Sequence, residues 1–133
     1  MAIMITDYFQ RIKDVIKNNQ HLIIHFTLNE KVHGECKGSI EGEIIFSDKS
    51  RLNFTEVKDT WLDSKFSYRY HYINALAKMV FKYDNARHHH DVATFPHHKH
   101  TPEGFFESEE PSLEQIFDEV KACMFQKKAP ENS

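Results

Sequence analysis

From Leu22 to Asp84 the chain repeatedly alternates apolar and polar side chains, and on either side of that block the apolar spacing is helical. Residues two apart share one face of a strand. Leu22, Ile24, Phe26 and Leu28, set against His21, Ile23, His25 and Thr27, therefore predict a strand with one buried face. After Gly34 and Gly38, the series Ile40, Gly42, Ile44 and Phe46 continues the pattern. Residues 47–50, Ser-Asp-Lys-Ser, read as a turn. Leu52 and Phe54 open the return strand, with Glu56 on their side. Phe66, Tyr68, Tyr70 and Tyr72 then share a face opposite Lys65, Ser67, Arg69 and His71. Beyond a turn near 74–77, Met79, Phe81 and Tyr83 oppose Lys78, Val80, Lys82 and Asp84. If the aromatic face packs on helices, Arg69, His71, Lys82 and Asp84 share the wetter face.

The flanking periods supply those helices. Ile5, Tyr8, Phe9, Ile12, Val15 and Ile16 form one helical face, with Thr6 or Asp7 as the expected cap and Asn18-Asn19 as the end. Ser112-Leu-Glu-Gln after Pro111 is a capping-box pattern, followed by Leu113, Ile116, Phe117, Val120 and Met124 at helical spacing. Strands in a run with helices at the ends predict an α+β fold. The expectation is a single domain over residues 1–126. It has about five antiparallel strands, both terminal helices on one face and a long His-rich loop on the other. Residues 127–133 are expected to form a disordered tail.

Composition narrows the function. At 133 residues the chain suits one core, and a net charge of −3 lacks the basic excess of a nonspecific duplex binder. Any nucleic-acid contact should be local. No apolar run approaches the roughly 20 residues needed to span a bilayer. The first residues mix acids and bases among apolar positions, unlike a secretory leader. Cys36 and Cys123 are far apart and match no zinc-binding spacing. Together these features predict a cytoplasmic protein with reduced thiols and no membrane partner. Long antiparallel edges could pair in a homodimer.

Six of the ten histidines fall between His88 and His100. They lie in a stretch from Asp84 to Ser112 that carries no strong periodicity, apart from a short edge strand suggested at Phe105-Phe106. Loops beyond about 12–15 residues are uncommon in small domains and are usually functional or disordered. Phe95 and Pro96 inside the stretch favour an ordered loop lying over the polar sheet face.

Tyr83-Asp84-Asn85-Ala86, then His88-His89, then Thr94-Phe95-Pro96-His97-His98-Lys99-His100 resembles the signature of the TumE-type toxins of prokaryotic toxin–antitoxin operons. Tyr70-His71 is similar to that family's preceding strand. The family more often has Pro at the position of Arg87 and Arg at that of Lys82. The resemblance implies a small toxin neutralised by a cognate antitoxin protein, but supplies no chemistry.

Chemistry must come from the residue types. Free imidazole titrates near pH 6.5, so crowded histidines can supply both a general base and a general acid. Cleavage of RNA through its 2′-hydroxyl needs that pair. The expected catalytic set is His71, His97 and His100, with Asp84 orienting one imidazole. Asn85 would shape the turn out of the strand, Arg87 and Lys99 would face phosphate, and Tyr70 would stack a base. A second reading is a divalent transition-metal site drawn from His88, His89 and His98, with Asp84, His97 and His100 as further donors. No His-Glu-x-x-His motif accompanies it. A third is a non-catalytic interaction protein whose histidines are structural. Spacing alone does not separate His97 from His98. Glu56 is either a buried acid or a strand end reaching solvent, and Trp61 is expected in the core or at its rim rather than as a recognition platform.

Overall fold

The computed structural model describes residues 2–87 and 92–126. It starts with helix α1 (Ile5–Asn18) and a short 3₁₀ turn (Gln20–Leu22). Seven strands follow among the described residues: β1 (Ile23–Val32), β2 (Lys37–Phe46), β3 (Arg51–Asp59), β4 (Ser67–Ile73), β5 (Met79–Asp84), β6 (His98–Thr101) and β7 (Gly104–Glu107). Helix α2 (Leu113–Met124) closes the chain. Every strand pairs antiparallel with the next, so sheet order equals chain order.

The α+β class holds, but the sheet has seven strands rather than five. The two additional strands come from the stretch expected as loop, since β6 and β7 form a hairpin beside β5. β7 contains the edge strand suggested at Phe105-Phe106, whereas β6, His-Lys-His-Thr, carries almost no hydrophobic alternation, so periodicity cannot reveal it. His98 and His100 are therefore sheet residues. His88, His89 and the tail at 127–133 lie outside the described residues.

Both helices bury their apolar stripes on one sheet face. Ile5, Phe9, Ile12 and Ile16 of α1 join Leu113, Ile116, Phe117 and Val120 of α2 over Ile40, Ile44, Phe46, Leu52, Phe54, Tyr70, Tyr72 and Phe81. Gly42 belongs to that row because a Cβ there would lie 2.5 Å from Phe54 Cε1. The ring occupies the space a larger residue would need.

The two helix starts differ. At α2, Ser112 Oγ accepts from Gln115 N at 3.1 Å while Ser112 N donates to Gln115 Oε1 at 2.9 Å, the expected capping box. At α1, neither Thr6 nor Asp7 caps. The helix begins at Ile5, whose N–H donates to the Glu35 carbonyl at 2.7 Å, so the β1–β2 turn does the capping.

Four apolar residues depart from their expected burial, among them Trp61, which is 67% exposed rather than in the core or at its rim. Ile24 and Phe26 are 54% and 45% exposed, because β1 is an edge strand whose register shifts between Ile23 and His25. Phe66 precedes β4 and is 75% exposed, although it continues the parity of Tyr68, Tyr70 and Tyr72. Among the described residues, no helix is long and apolar enough to cross a membrane.

Candidate active site

Strand register sets the histidines among their neighbours on the face away from the helices. Asn53, His71, Lys82, His100 and Phe105 are successive cross-strand partners from β3 to β7. Beside this row runs a second one: Thr55, Arg69, Asp84, His98 and Glu107. Because side chains alternate, residues in both rows emerge opposite Tyr70, Tyr72 and Phe81, which are buried against the helices.

The first row is cationic. His71 is half-buried, and its pKa is held below the ordinary 6.5. Burial is the largest cause, followed by repulsion from Lys82, Arg69 and His100. At neutral pH the ring is therefore neutral and can take a proton. His100, two strands away, stacks on Phe105 with ring centroids 4.2 Å apart. Two strand spacings put the backbones of His71 and His100 about 10 Å apart, with Lys82 between them.

The second row is partly covered. His98 is 1% exposed, with Nε2 lying 2.9 Å from Asp84 Oδ1 and Nδ1 lying 3.1 Å from the Pro96 carbonyl. Asp84 Oδ1 also accepts from Ala86 N at 3.0 Å, and Oδ2 lies 3.8 Å from Lys82 Nζ. The imidazole against which Asp84 sits is thus His98, which faces it in register. The pairing ties β5 to β6, and Asp84 also lines the edge of an open cleft.

His97 goes elsewhere. Its ring stacks on Tyr68 at 5.8 Å and 13°, and Nδ1 shares a 2.8 Å hydrogen bond with the Tyr68 hydroxyl. Burial first, then Glu110 and Asp84, push that hydroxyl's pKa up, so it keeps its proton. His97 lines an open cleft of about 890 Å³ together with Arg69, Lys82, Asn85 and Arg87. A smaller hollow of about 370 Å³ contains His71, Asn53 and Arg69. Arg69 borders both spaces, and Lys82 belongs to both the cleft and the cationic row.

Asn85 clamps the foot of β4. Its Oδ1 accepts from Tyr68 N and its Nδ2 donates to the Phe66 carbonyl, each at 3.1 Å. Arg87 is exposed over the Phe95 ring, 5.7 Å from its centroid.

Two expected substrate contacts lie on the wrong face. Tyr70 is fully buried and donates to Glu56 Oε2 at 2.6 Å, which leaves no ring surface for a base. Lys99 Nζ sits 2.7 Å from Glu119 Oε2 of α2 and 5.1 Å from the Tyr83 ring centroid. Burial opposes the Lys99 charge, but the bonds to Glu119 and Tyr83 outweigh it and raise its pKa. Alternation explains both cases: Tyr70 and Lys99 point opposite to their neighbours His71 and His100. The same parity singles out two cations not nominated from sequence, Arg69 and Lys82.

Among the described residues, no group of three or more His, Cys, Asp or Glu side chains is placed to hold a metal ion. Of the residues put forward as ligands, His98 is committed to Asp84 and Pro96, and His88 and His89 lie outside the described residues.

Residues 12–124 match the family model described as Toxin TumE. No curated protein and no solved structure matches the chain.

Proposed function

The chain belongs to the TumE toxin family, and we propose that it acts on RNA by acid–base cleavage at the His71–Lys82–His100 row. Family membership makes it the toxin of a toxin–antitoxin pair, with an antitoxin as its protein partner. Its target and reaction are inferred from the open sheet face.

In this reading neutral His71 takes the proton of a 2′-hydroxyl. The 2′-oxygen attacks the adjacent phosphorus, and the bond to the 5′-oxygen breaks. His100, as imidazolium, gives that oxygen its proton. The products are a 2′,3′-cyclic phosphate and a 5′-hydroxyl, and the two histidines then exchange protons with water. Lys82 and Arg69 offset the charge that builds on the phosphoryl oxygens. Such proton transfers are typically worth about 10²–10⁴-fold each.

The observation that carries the proposal is the register His71–Lys82–His100. Two imidazoles flank an ammonium on one exposed face, about 10 Å apart at the backbone, close enough for both rings to reach one phosphodiester. His97, tied to Tyr68, lines the cleft leading to the row and is assigned to substrate contact rather than proton transfer.

Expression tests this. His71→Ala and His100→Ala should each abolish growth arrest while the purified variants keep the wild-type circular dichroism and melting profile. Full toxicity in both variants would remove the acid–base assignment. Growth arrest lost only when a divalent-metal chelator is supplied would favour the metal reading.

A further inference from the structure

Phe66 is the most solvent-exposed ring whose backbone the fold holds on both sides. It is 75% exposed, so it contributes little buried area to folding. Yet its N–H donates to the Val57 carbonyl at 2.9 Å, and its carbonyl accepts from Asn85 Nδ2 at 3.1 Å. The next-but-one N–H, of Tyr68, donates to Asn85 Oδ1 at 3.1 Å. Just upstream, Lys65 N donates to Glu110 Oε1 at 2.9 Å. The ring is therefore presented on a fixed backbone, rather than at the tip of a free loop.

A single exposed Phe needs no explanation. Its surroundings are what matter. Phe66 and the 48% exposed Leu62 line the same cleft as Arg69, Lys82 and Arg87. Trp61, beside Leu62 in the same connection, is 67% exposed. Aromatic rings on the wall of a cationic groove are the combination that binds single-stranded nucleic acid, with cations tracking phosphates and rings stacking bases. A protein partner would meet the same rings, but Lys65, Arg69, Lys82 and Arg87 against the single carboxylate of Asp84 give the cleft an excess of positive charge that favours a polyanion.

We infer that Phe66 is a stacking platform for an unpaired base of single-stranded RNA, held in place by Asn85 as a positioning residue. The inference rests on the RNA reading above and adds to it a substrate class and a recognition residue. Five residues of β-geometry separate Phe66 from His71, about 17 Å along the strand. The stacked base therefore belongs to a nucleotide away from the one that reacts, and the ring acts in recognition.

The test is fluorescence anisotropy with a labelled eight-nucleotide 2′-O-methyl RNA, which has no 2′-hydroxyl to react. Phe66→Ala should bind it about tenfold more weakly than wild type, within the range for loss of one base–aromatic stack. Phe66→Trp should restore binding, and an abasic oligomer of equal length should bind wild type and Phe66→Ala alike. Equal binding of the base-bearing oligomer by wild type and Phe66→Ala would overturn the platform. If Arg69→Gln still weakens that binding, the RNA reading survives without it. No binding by wild type would overturn both. If Phe66→Ala keeps RNA binding but loses capture of the antitoxin, the ring is a protein-docking residue and the platform is refuted.

Discussion

The two faces of the sheet treat charge in opposite ways. On the helix side, several charged groups are buried or half-buried and paired. Glu56 is 1% exposed and accepts from the hydroxyls of both Tyr8 and Tyr70. Lys65 Nζ donates to the Pro111 carbonyl at 2.6 Å, and Lys99 pairs with Glu119. On the open side, Arg69, Lys82 and His100 crowd His71, and together with its burial they hold that ring's pKa down. The first arrangement ties strands to helices. The second disfavours a proton on His71, while Asp84 Oδ2, 3.8 Å from Lys82 Nζ, offsets part of the positive charge. In the proposed function the reacting groups lie on the open face and most buried polar ties on the helix face, often at adjacent residues: Tyr70 beside His71, Lys99 beside His100; the buried Asp84–His98 pair is the exception.

Variants can break that division. The largest effect is expected at His71→Ala, which should slow RNA cleavage by about 10²–10⁴-fold, the usual worth of a general base. Its unfolding free energy should stay within about 0.5 kcal/mol of wild type, as for a surface substitution. A large loss of stability with retained cleavage would reverse the roles of the two faces.

Next comes Glu56→Ala. It leaves the Tyr8 and Tyr70 hydroxyls without their acceptor, and at about 1–3 kcal/mol for each buried unsatisfied group the loss should be about 2–6 kcal/mol in urea denaturation. An unchanged midpoint would show that the buried cluster adds nothing to the fold.

Ser112→Ala should cost about 1 kcal/mol through the lost cap and leave RNA cleavage at the wild-type rate. A change in cleavage without a change in stability would couple α2 to the open face.

The smallest effect is a titration shift. His71 has a lowered pKa, so the unfolded chain binds its proton more readily than the folded one. Its contribution is absent above the ordinary 6.5, and stability is lost as pH falls below that value toward the lowered folded pKa. Removing the nearest like charge with Lys82→Met should raise the His71 pKa, read by NMR titration of the ring, and narrow that window. A fall in the pKa would show that repulsion is not what depresses it.

Much of this was readable from alternation alone. Parity along 66–72 and 78–84 already puts Arg69, His71, Lys82 and Asp84 on the face opposite Tyr70 and Phe81. Applied consistently, it would have removed Tyr70 from the substrate contacts and nominated Lys82. Of the hairpin at 98–107, the edge strand suggested at Phe105-Phe106 is β7, whereas β6 was hidden because His-Lys-His-Thr is four residues long and polar, so no hydrophobic period marks it. Once β6 is known, register separates the histidines: His98 faces Asp84 and His100 faces Lys82, while His97 precedes the strand and turns to Tyr68. Phe66 was misplaced for a different reason. It keeps the strand's parity but lies one residue before the strand begins, and parity carries no information beyond an element's end.

Product analysis on a short single-stranded RNA reads the proposed chemistry most directly. Purified wild-type protein should yield fragments ending in a 2′,3′-cyclic phosphate and beginning with a 5′-hydroxyl, and a 2′-deoxy nucleotide at the cleavage position should block the reaction. Fragments beginning with a 5′-phosphate, or equal cleavage of the 2′-deoxy substrate, would mean that the His71–Lys82–His100 row does not act as an acid–base pair on the 2′-hydroxyl.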